Sequence, residues 1–151
     1  MISKKVSDTK KLARKIAKKS RAQIFALVGE LGSGKTTFVQ AFLRAKGVRG
    51  RITSPTFLII RRYPIRKFVP PAGGDSLFVD AYHIDCYRLK NPKELLILGF
   101  KEILKNPRNV ILIEWADKIK KLLTPPAGGR GVQWIYFEHG PQPKERLIRW
   151  A

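Results

Sequence analysis

The chain has 151 residues, a length that suits one domain around one core. Its 31 Lys and Arg stand against 11 Asp and Glu, a formal charge of +20, and such a field attracts polyanions. The single cysteine, Cys86, excludes an internal disulfide framework and fits a reducing compartment. No apolar run approaches the roughly 18 residues of a membrane span, and the start Met-Ile-Ser-Lys-Lys lacks a signal-peptide core. The expectation is a soluble cytoplasmic protein of one domain, residues 1–151, with no membrane partner.

Ser7 or Asp8 is placed to cap a first helix running to about Lys19. Eight Lys/Arg lie between Lys4 and Lys19, opposite Leu12, Ala13 and Ile16, which reads as an amphipathic helix with a basic exterior. Ile24–Val28 is a short apolar run with the character of a buried strand. Residues 29–36 read Gly-Glu-Leu-Gly-Ser-Gly-Lys-Thr, a complete G-x-x-x-x-G-K-[ST] phosphate-binding loop. Thr36–Ala45 continues with helical spacing, and Gly47 stops it.

Residues 51–62 begin as a loop around Ser54-Pro55 and continue as a strand, Val69–Asp75 is a turn or loop, and Leu77–Asp85 is β-like. Pro92 opens a helix through Leu104, proline being favoured in a first turn. Val110–Ile113 is a fully apolar strand, and Ala116–Leu123 is a short helix. Val132–Glu138 and Arg146–Trp150 close the chain as strands. The tract Pro-Pro-Ala-Gly-Gly occurs at 70–74 and 125–129 and reads as two surface loops without functional weight.

The phosphate-binding loop carries the chemistry. Gly29, Gly32 and Gly34 permit the backbone angles of a wrapped loop, whose N–H groups, with that of Ser33, turn toward phosphate oxygens. Lys35 reaches the β- and γ-phosphates, and the Thr36 hydroxyl ligates Mg²⁺. A hydrolase of this kind also needs a carboxylate by the metal and a group that positions water. Glu114 follows the Val110–Ile113 strand, where such a carboxylate belongs; the competing reading is a solvated acid at a strand end. Asp85 ends another β-like run and suits a metal-bound water or the orientation of a nucleophile. Thr56, after Ser54-Pro55, is a candidate γ-phosphate sensor, although such triplets are more often plain turns.

His83 reads as structural or hydrogen-bonded rather than catalytic. Arg88 is either a transition-state arginine or a partner of a surface carboxylate, and Trp115 is either core or a stacking surface. Cys86, His83 and His139 make no zinc set.

Four segments, in this order, strongly resemble the TsaE family. They are Gly-Glu-Leu-Gly-Ser-Gly-Lys-Thr-Thr-Phe (29–38), Ser-Pro-Thr-Phe (54–57), His-Ile-Asp-Cys-Tyr-Arg-Leu (83–89) and Ile-Glu-Trp (113–115). These are the small bacterial P-loop ATPases of tRNA threonylcarbamoyladenosine biosynthesis, and the resemblance covers about residues 7–140. It implies ATP or ADP with Mg²⁺ as ligands, TsaD and TsaB as protein partners, and tRNA as a direct or indirect one. It implies that Lys35 contacts phosphates, that Thr36 and Glu114 form the Mg²⁺ site and that Asp85 serves hydrolysis. It further implies that Thr37 and Thr56 border the nucleotide, with Thr9 near the adenine. The stretch from Arg61 to Asp75 is longer than the family's usual hairpin, and Ala-Asp-Lys follows Trp115 where the family commonly has a proline.

The expected fold is a three-layer P-loop NTPase α/β domain, its central sheet mainly parallel with antiparallel additions. Two other functions compete. One is a small P-loop kinase with Arg61, Arg62 and Arg66 as a lid. The other is a basic RNA-binding module with a vestigial P-loop, although no RNP, KH or zinc-knuckle signature accompanies the charge.

Overall fold

The computed structural model describes residues 1–65, 78–123 and 131–151. Seven strands form one sheet: β1 Ile2–Ser3, β2 Ile24–Gly29, β3 Ile60–Pro64, β4 Asp80–Asp85, β5 Asn109–Glu114, β6 Val132–His139 and β7 Arg146–Trp150. Their spatial order is β1-β7-β6-β2-β5-β4-β3. The four inner strands β6, β2, β5 and β4 run parallel, while β3, β7 and β1 pair antiparallel at the margins. This is the expected α/β class.

Two helices cover one face of the sheet, α1 Val6–Lys19 and α2 Lys35–Ala45. The other face carries α3 Lys93–Ile97, α4 Phe100–Lys105 and a 3-10 segment, Ala116–Leu122. Strand alternation divides the core between them. Phe25, Leu27, Val110 and Leu112 face α1 and α2, whereas Ile24, Ala26, Ile111 and Ile113 face the opposite layer. β5 is buried along its whole length, as a central parallel strand must be.

In α1 the buried positions are Thr9, Leu12, Ala13, Ile16 and Ala17, one stripe at helical spacing that packs on α2. Asp8 supports the helix start by accepting the Lys4 and Lys5 N–H groups at 3.1 and 3.2 Å, but the residue at the cap position is Lys5 rather than Ser7 or Asp8. α2 ends in a Schellman turn. Gly47, at φ 93°, donates to Arg44, and Val48 donates back to Leu43. Phe25, Phe38, Phe42 and Phe137 stack in sequence, with centroids 4.5–6.1 Å apart, and so fix α2 over β2 and β6.

Several elements depart from the sequence expectation. The helix expected over 92–104 is two short helices, because Gly99 adopts φ 82° between them and takes the N-cap of α4. The strand expected from Leu77 begins at Asp80, and the one expected to end at Arg62 runs Ile60–Pro64. The short helix after Trp115 is of the 3-10 type. β1 was not expected at all, since two residues carry no periodicity. Leu77, Arg66, the Val69–Asp75 loop and both Pro-Pro-Ala-Gly-Gly tracts lie outside the described residues.

Candidate functional site

β2 delivers the Gly29–Thr36 loop to the carboxyl edge of the sheet, and α2 begins directly behind it. Gly29 is the last residue of β2 paired with β6, opposite Phe137. A Cβ at Gly29 would lie 2.3 Å from the Phe137 carbonyl oxygen, so only glycine allows this approach. Gly34 takes φ 102° at the N-cap of α2 with no atom within 4 Å of a built Cβ, which leaves open space above the helix start. The first-turn N–H groups of α2 lack intrahelical partners and carry the positive end of the helix dipole. Together these form an anion cradle.

Lys35 is folded back onto its own loop. Its Nζ donates to the carbonyls of Gly29 and Glu30, each at 2.7 Å, lies 3.4 Å from Ser33 Oγ, and stands 4.2 Å from the Trp115 ring centroid. Burial lowers its pKa from the ordinary lysine value, and the negative charges of Glu114, Asp85 and Asp117 oppose that shift. Ser33 itself is wholly buried.

Glu114 ends β5 and is 3% exposed. The Thr36 hydroxyl lies 3.0 and 2.9 Å from its two oxygens, and His83 Nε2 lies 2.8 Å from Oε1. His83 is fully buried on β4, so it holds Glu114 from beneath. Trp115, the next residue, adopts φ 57°, a strained angle for a bulky side chain. That turn ends the strand and puts the indole over Lys35 and, at 5.1 Å, beside Tyr87.

Asp85 ends β4, in register with Glu114. Its Oδ2 accepts the hydroxyls of Ser54 and Thr56 at 3.1 and 3.0 Å, and its Oδ1 accepts the Tyr87 N–H at 2.9 Å. The Asp85 N–H donates to Ile59, which at φ 64° is, with Trp115, one of two non-glycine residues with positive φ among the described residues. Strain therefore sits on both segments that flank the carboxylates.

Two cavities meet at the loop. One, of about 360 Å³, is lined by Lys35, Thr36, Ser54, Thr56, Asp85 and Glu114 among others. The second, of about 510 Å³, is lined by Thr9, Lys5, Lys144 and Arg146 among others. Gly32, Gly34 and Thr37 border both. Arg146 donates to the Gly32 carbonyl and so ties β7 to the loop. Thr9 shares a 2.9 Å hydrogen bond with Ser3.

Thr9, Gly32, Gly34, Lys35, Thr36, Thr37, Thr56, Asp85 and Glu114 thus fall at these two cavities, whereas Ser33 is buried in the loop beneath Lys35 and Gly29 lines neither. Sequence reasoning assigned no role to Ser54, Tyr87 or Arg146. Ser54 was visible beside Thr56, whereas Arg146 had no local signal. Among the described residues Arg88 has no carboxylate partner, and it does not line the cavity; its guanidinium stacks 4.4 Å from the exposed Phe57 ring. Arg61 donates to Thr53 Oγ1 and Arg62 pairs with Asp80, so neither is poised as a kinase lid, and Arg66 lies outside the described residues.

The residues present fit a nucleotide with Mg²⁺. The cradle is one that a Cβ would fill, and the Thr36 hydroxyl and Glu114 carboxylate are hard oxygen donors side by side. Among the described residues there is no group of three or more His, Cys, Asp and Glu that would hold a metal alone. Mg²⁺ needs none, because it is usually held by one or two protein oxygens with phosphates and water.

A family model described as "Threonylcarbamoyl adenosine biosynthesis protein TsaE" matches residues 3–145. A Rickettsia felis protein named "tRNA threonylcarbamoyladenosine biosynthesis protein TsaE" is 41% identical over 121 residues, which are 79% of this chain and 63% of that protein. Proteins of the same name from Rickettsia prowazekii and Bacillus subtilis are 40% and 33% identical, over 79% and 77% of this chain and 75% and 65% of their own lengths. This chain thus spans just under two thirds of the Rickettsia felis and Bacillus subtilis relatives. The crystal structure of Bacillus subtilis YdiB superposes with a TM-score of 0.71 at 26% identity, covering 99% of this chain and 82% of that one. With a family model matched over nearly its whole length, the chain belongs to the TsaE family.

Proposed function

We propose that the chain is a single-domain, Mg²⁺-dependent ATPase that supports formation of threonylcarbamoyladenosine in tRNA, working with TsaD and TsaB homologues. The observation that carries it is the convergence of Lys35, Thr36, Asp85 and Glu114 on one cavity beside the phosphate cradle, in a chain of this family. The ATP triphosphate lies along the Gly29–Thr36 loop, with the base toward the cavity lined by Thr9, Lys5 and Arg146. Lys35 exchanges the Gly29 and Glu30 carbonyls for β- and γ-phosphate oxygens. Thr36 and Glu114 would hold Mg²⁺, and His83 keeps the carboxylate in position. When bound, Mg²⁺ would neutralise charge on the phosphate oxygens.

Asp85 is acceptor-only while ionised, and Ser54, Thr56 and the Tyr87 N–H hold it in one orientation. An acceptor fixed at a strand end orients an attacking water by taking its hydrogen bond. Thr56 also couples the Ser54–Ile59 segment to that carboxylate, so a γ-phosphate in the cavity is felt along the segment.

Titration with a fluorescent ATP analogue and Mg²⁺, with phosphate release in parallel, tests the reading. Lys35→Ala is expected to abolish binding, and Asp85→Ala to spare binding while cutting hydrolysis. Wild-type protein that binds neither ATP nor ADP with Mg²⁺ would sink the proposal. Co-purification with TsaD and TsaB homologues, with and without ATP, tests the partners.

A further inference from the structure

We propose that the outer face of α1 and α2 docks the phosphodiester backbone of RNA, at a site separate from the nucleotide cavities. The inference deepens the proposed role in tRNA modification and rests on it for the choice of tRNA as partner.

Charge is distributed unevenly along the chain. Residues 1–53 hold fourteen Lys/Arg and two acids, Asp8 and Glu30. Asp8 is occupied by the Lys4 and Lys5 N–H groups, and Glu30 belongs to the phosphate-binding loop. On α1, Lys10, Arg14 and Lys18 form one i, i+4 row, Lys11, Lys15 and Lys19 form another, and all six are exposed. Like charges four residues apart on a helix destabilise it. Among the described residues the Arg–carboxylate ion pairs are Arg62–Asp80 and Arg149–Glu138, neither of which involves α1 or α2.

Lys10 and Arg14 of the first row line a cleft of about 290 Å³ together with Gln40, Arg44, Arg51 and Ile52, among others, with no acid. It shares no residue with either nucleotide cavity. Arg44 lies eight residues beyond Thr36 on α2, a rise of about 12 Å, so the two sites can be filled together. Three guanidinium groups around one cleft match phosphate, which they contact in bidentate fashion.

The same face argues against other anionic partners. A stable protein interface needs a desolvated apolar or aromatic anchor, and a membrane surface needs inserted apolar side chains. Large apolar residues exposed on α1 and α2 are limited, among the described residues, to Val6 at the start of α1. The remaining apolar stripe of α1 is buried.

The test is fluorescence anisotropy of unmodified tRNA transcript with the full chain, titrated at several salt concentrations without nucleotide. Arg14→Ala/Arg44→Ala/Arg51→Ala is compared with Lys101→Ala/Lys105→Ala/Lys121→Ala, which removes equal charge from the opposite layer. The arginine variant is expected to bind about tenfold or more weakly at 0.1 M salt. Its log Kd against log salt should be shallower by about 2 to 3, since each lost phosphate contact removes about 0.7 to 0.9. The lysine variant should bind within about twofold of wild type if contact, rather than net charge, decides. All six substitutions are at exposed side chains, and circular dichroism checks folding. Equal weakening by the two variants overturns the proposal, as does wild-type protein without salt-dependent tRNA binding. Displacement of the tRNA by polyglutamate or by phosphatidylserine vesicles at equal charge concentration overturns it in favour of an acidic protein or a lipid surface. Binding of the ATP analogue, measured on the same samples, should be unchanged in both variants. Loss of the ATPase reading would therefore appear in wild-type nucleotide binding, independently of the RNA result.

Discussion

Replacing Gly29 by alanine isolates the close approach on which the phosphate-binding loop is built. The new Cβ would stand 2.3 Å from the Phe137 carbonyl oxygen and 3.0 Å from Phe137 Cβ. An ordinary contact requires about 1 Å more, and the nearest obstruction is a backbone carbonyl of the neighbouring strand, which cannot rotate aside. The φ of 153° adds strain for any L side chain. Overpacking of about 1–3 kcal/mol and backbone strain of about 1–3 kcal/mol give a loss of roughly 2–6 kcal/mol. For a chain of this size each kcal/mol lowers Tm by about 2–4 °C, so the expected fall is about 4–24 °C. Gly34→Ala is the internal control. Its φ of 102° is also unfavourable, but nothing lies within 4 Å, so only the strain applies and the fall should be about 2–12 °C. Thermal melts of the two variants by circular dichroism, without nucleotide, decide the matter. A Gly34→Ala loss equal to or larger than that of Gly29→Ala would refute the claim that strand contact dictates glycine at position 29.

Further outcomes follow from the buried groups. His83→Ala should destabilise by about 3–5 kcal/mol, because it strips a partner from a buried carboxylate. Combined with Glu114→Gln it should cost less than the sum by more than about 1 kcal/mol in denaturant titration, whereas additivity would uncouple the pair. Lys35→Ala should weaken ATP binding at least about a hundredfold by calorimetry, as charge-assisted hydrogen bonds to phosphate are worth about 1.5–3 kcal/mol each. The Cys86 thiol is pushed up to about 12 by burial, so it stays protonated at pH 8. Iodoacetamide at pH 8 should leave it untouched in the folded chain and alkylate it in urea. The thiolate population should rise only as pH approaches 12, and rapid labelling of the native protein near neutral pH would contradict its burial.

Much of the site was legible because the sequence states it locally. Spaced glycines, a lysine and a threonine behind an apolar strand define a loop with one geometry. Apolar runs ending in Asp85 and Glu114 place two carboxylates on the same edge of a parallel sheet. What escaped depends on distance in the chain or on one dihedral angle. Leu96, Phe100 and Leu104 keep helical spacing across Gly99, so periodicity concealed the break that Gly99 makes. The His83 bond to Glu114 joins neighbouring strands 31 residues apart, and no local pattern encodes it. Ser54 looked like part of a turn, yet its hydroxyl and that of Thr56 converge on one carboxylate oxygen. The inward fold of Lys35 is a choice among rotamers made by the loop's own carbonyls.

The position of β2 has a consequence for how the protein comes into being. Ile24 to Gly29 pair with Val132 to Phe137 on one side, and Ile24 to Leu27 with Ile111 to Glu114 on the other. The loop is therefore written early in the chain but braced by strands synthesised roughly a hundred residues later. Parallel, non-local pairing of this kind is slow to form, since loop closure precedes its reward. A ribosome-bound chain that has exposed Gly29–Thr36 still lacks the strand whose carbonyl Gly29 must approach. The loop accordingly takes its shape only once β6 has been made, and any ligand that binds that shape would stabilise chains that have reached it.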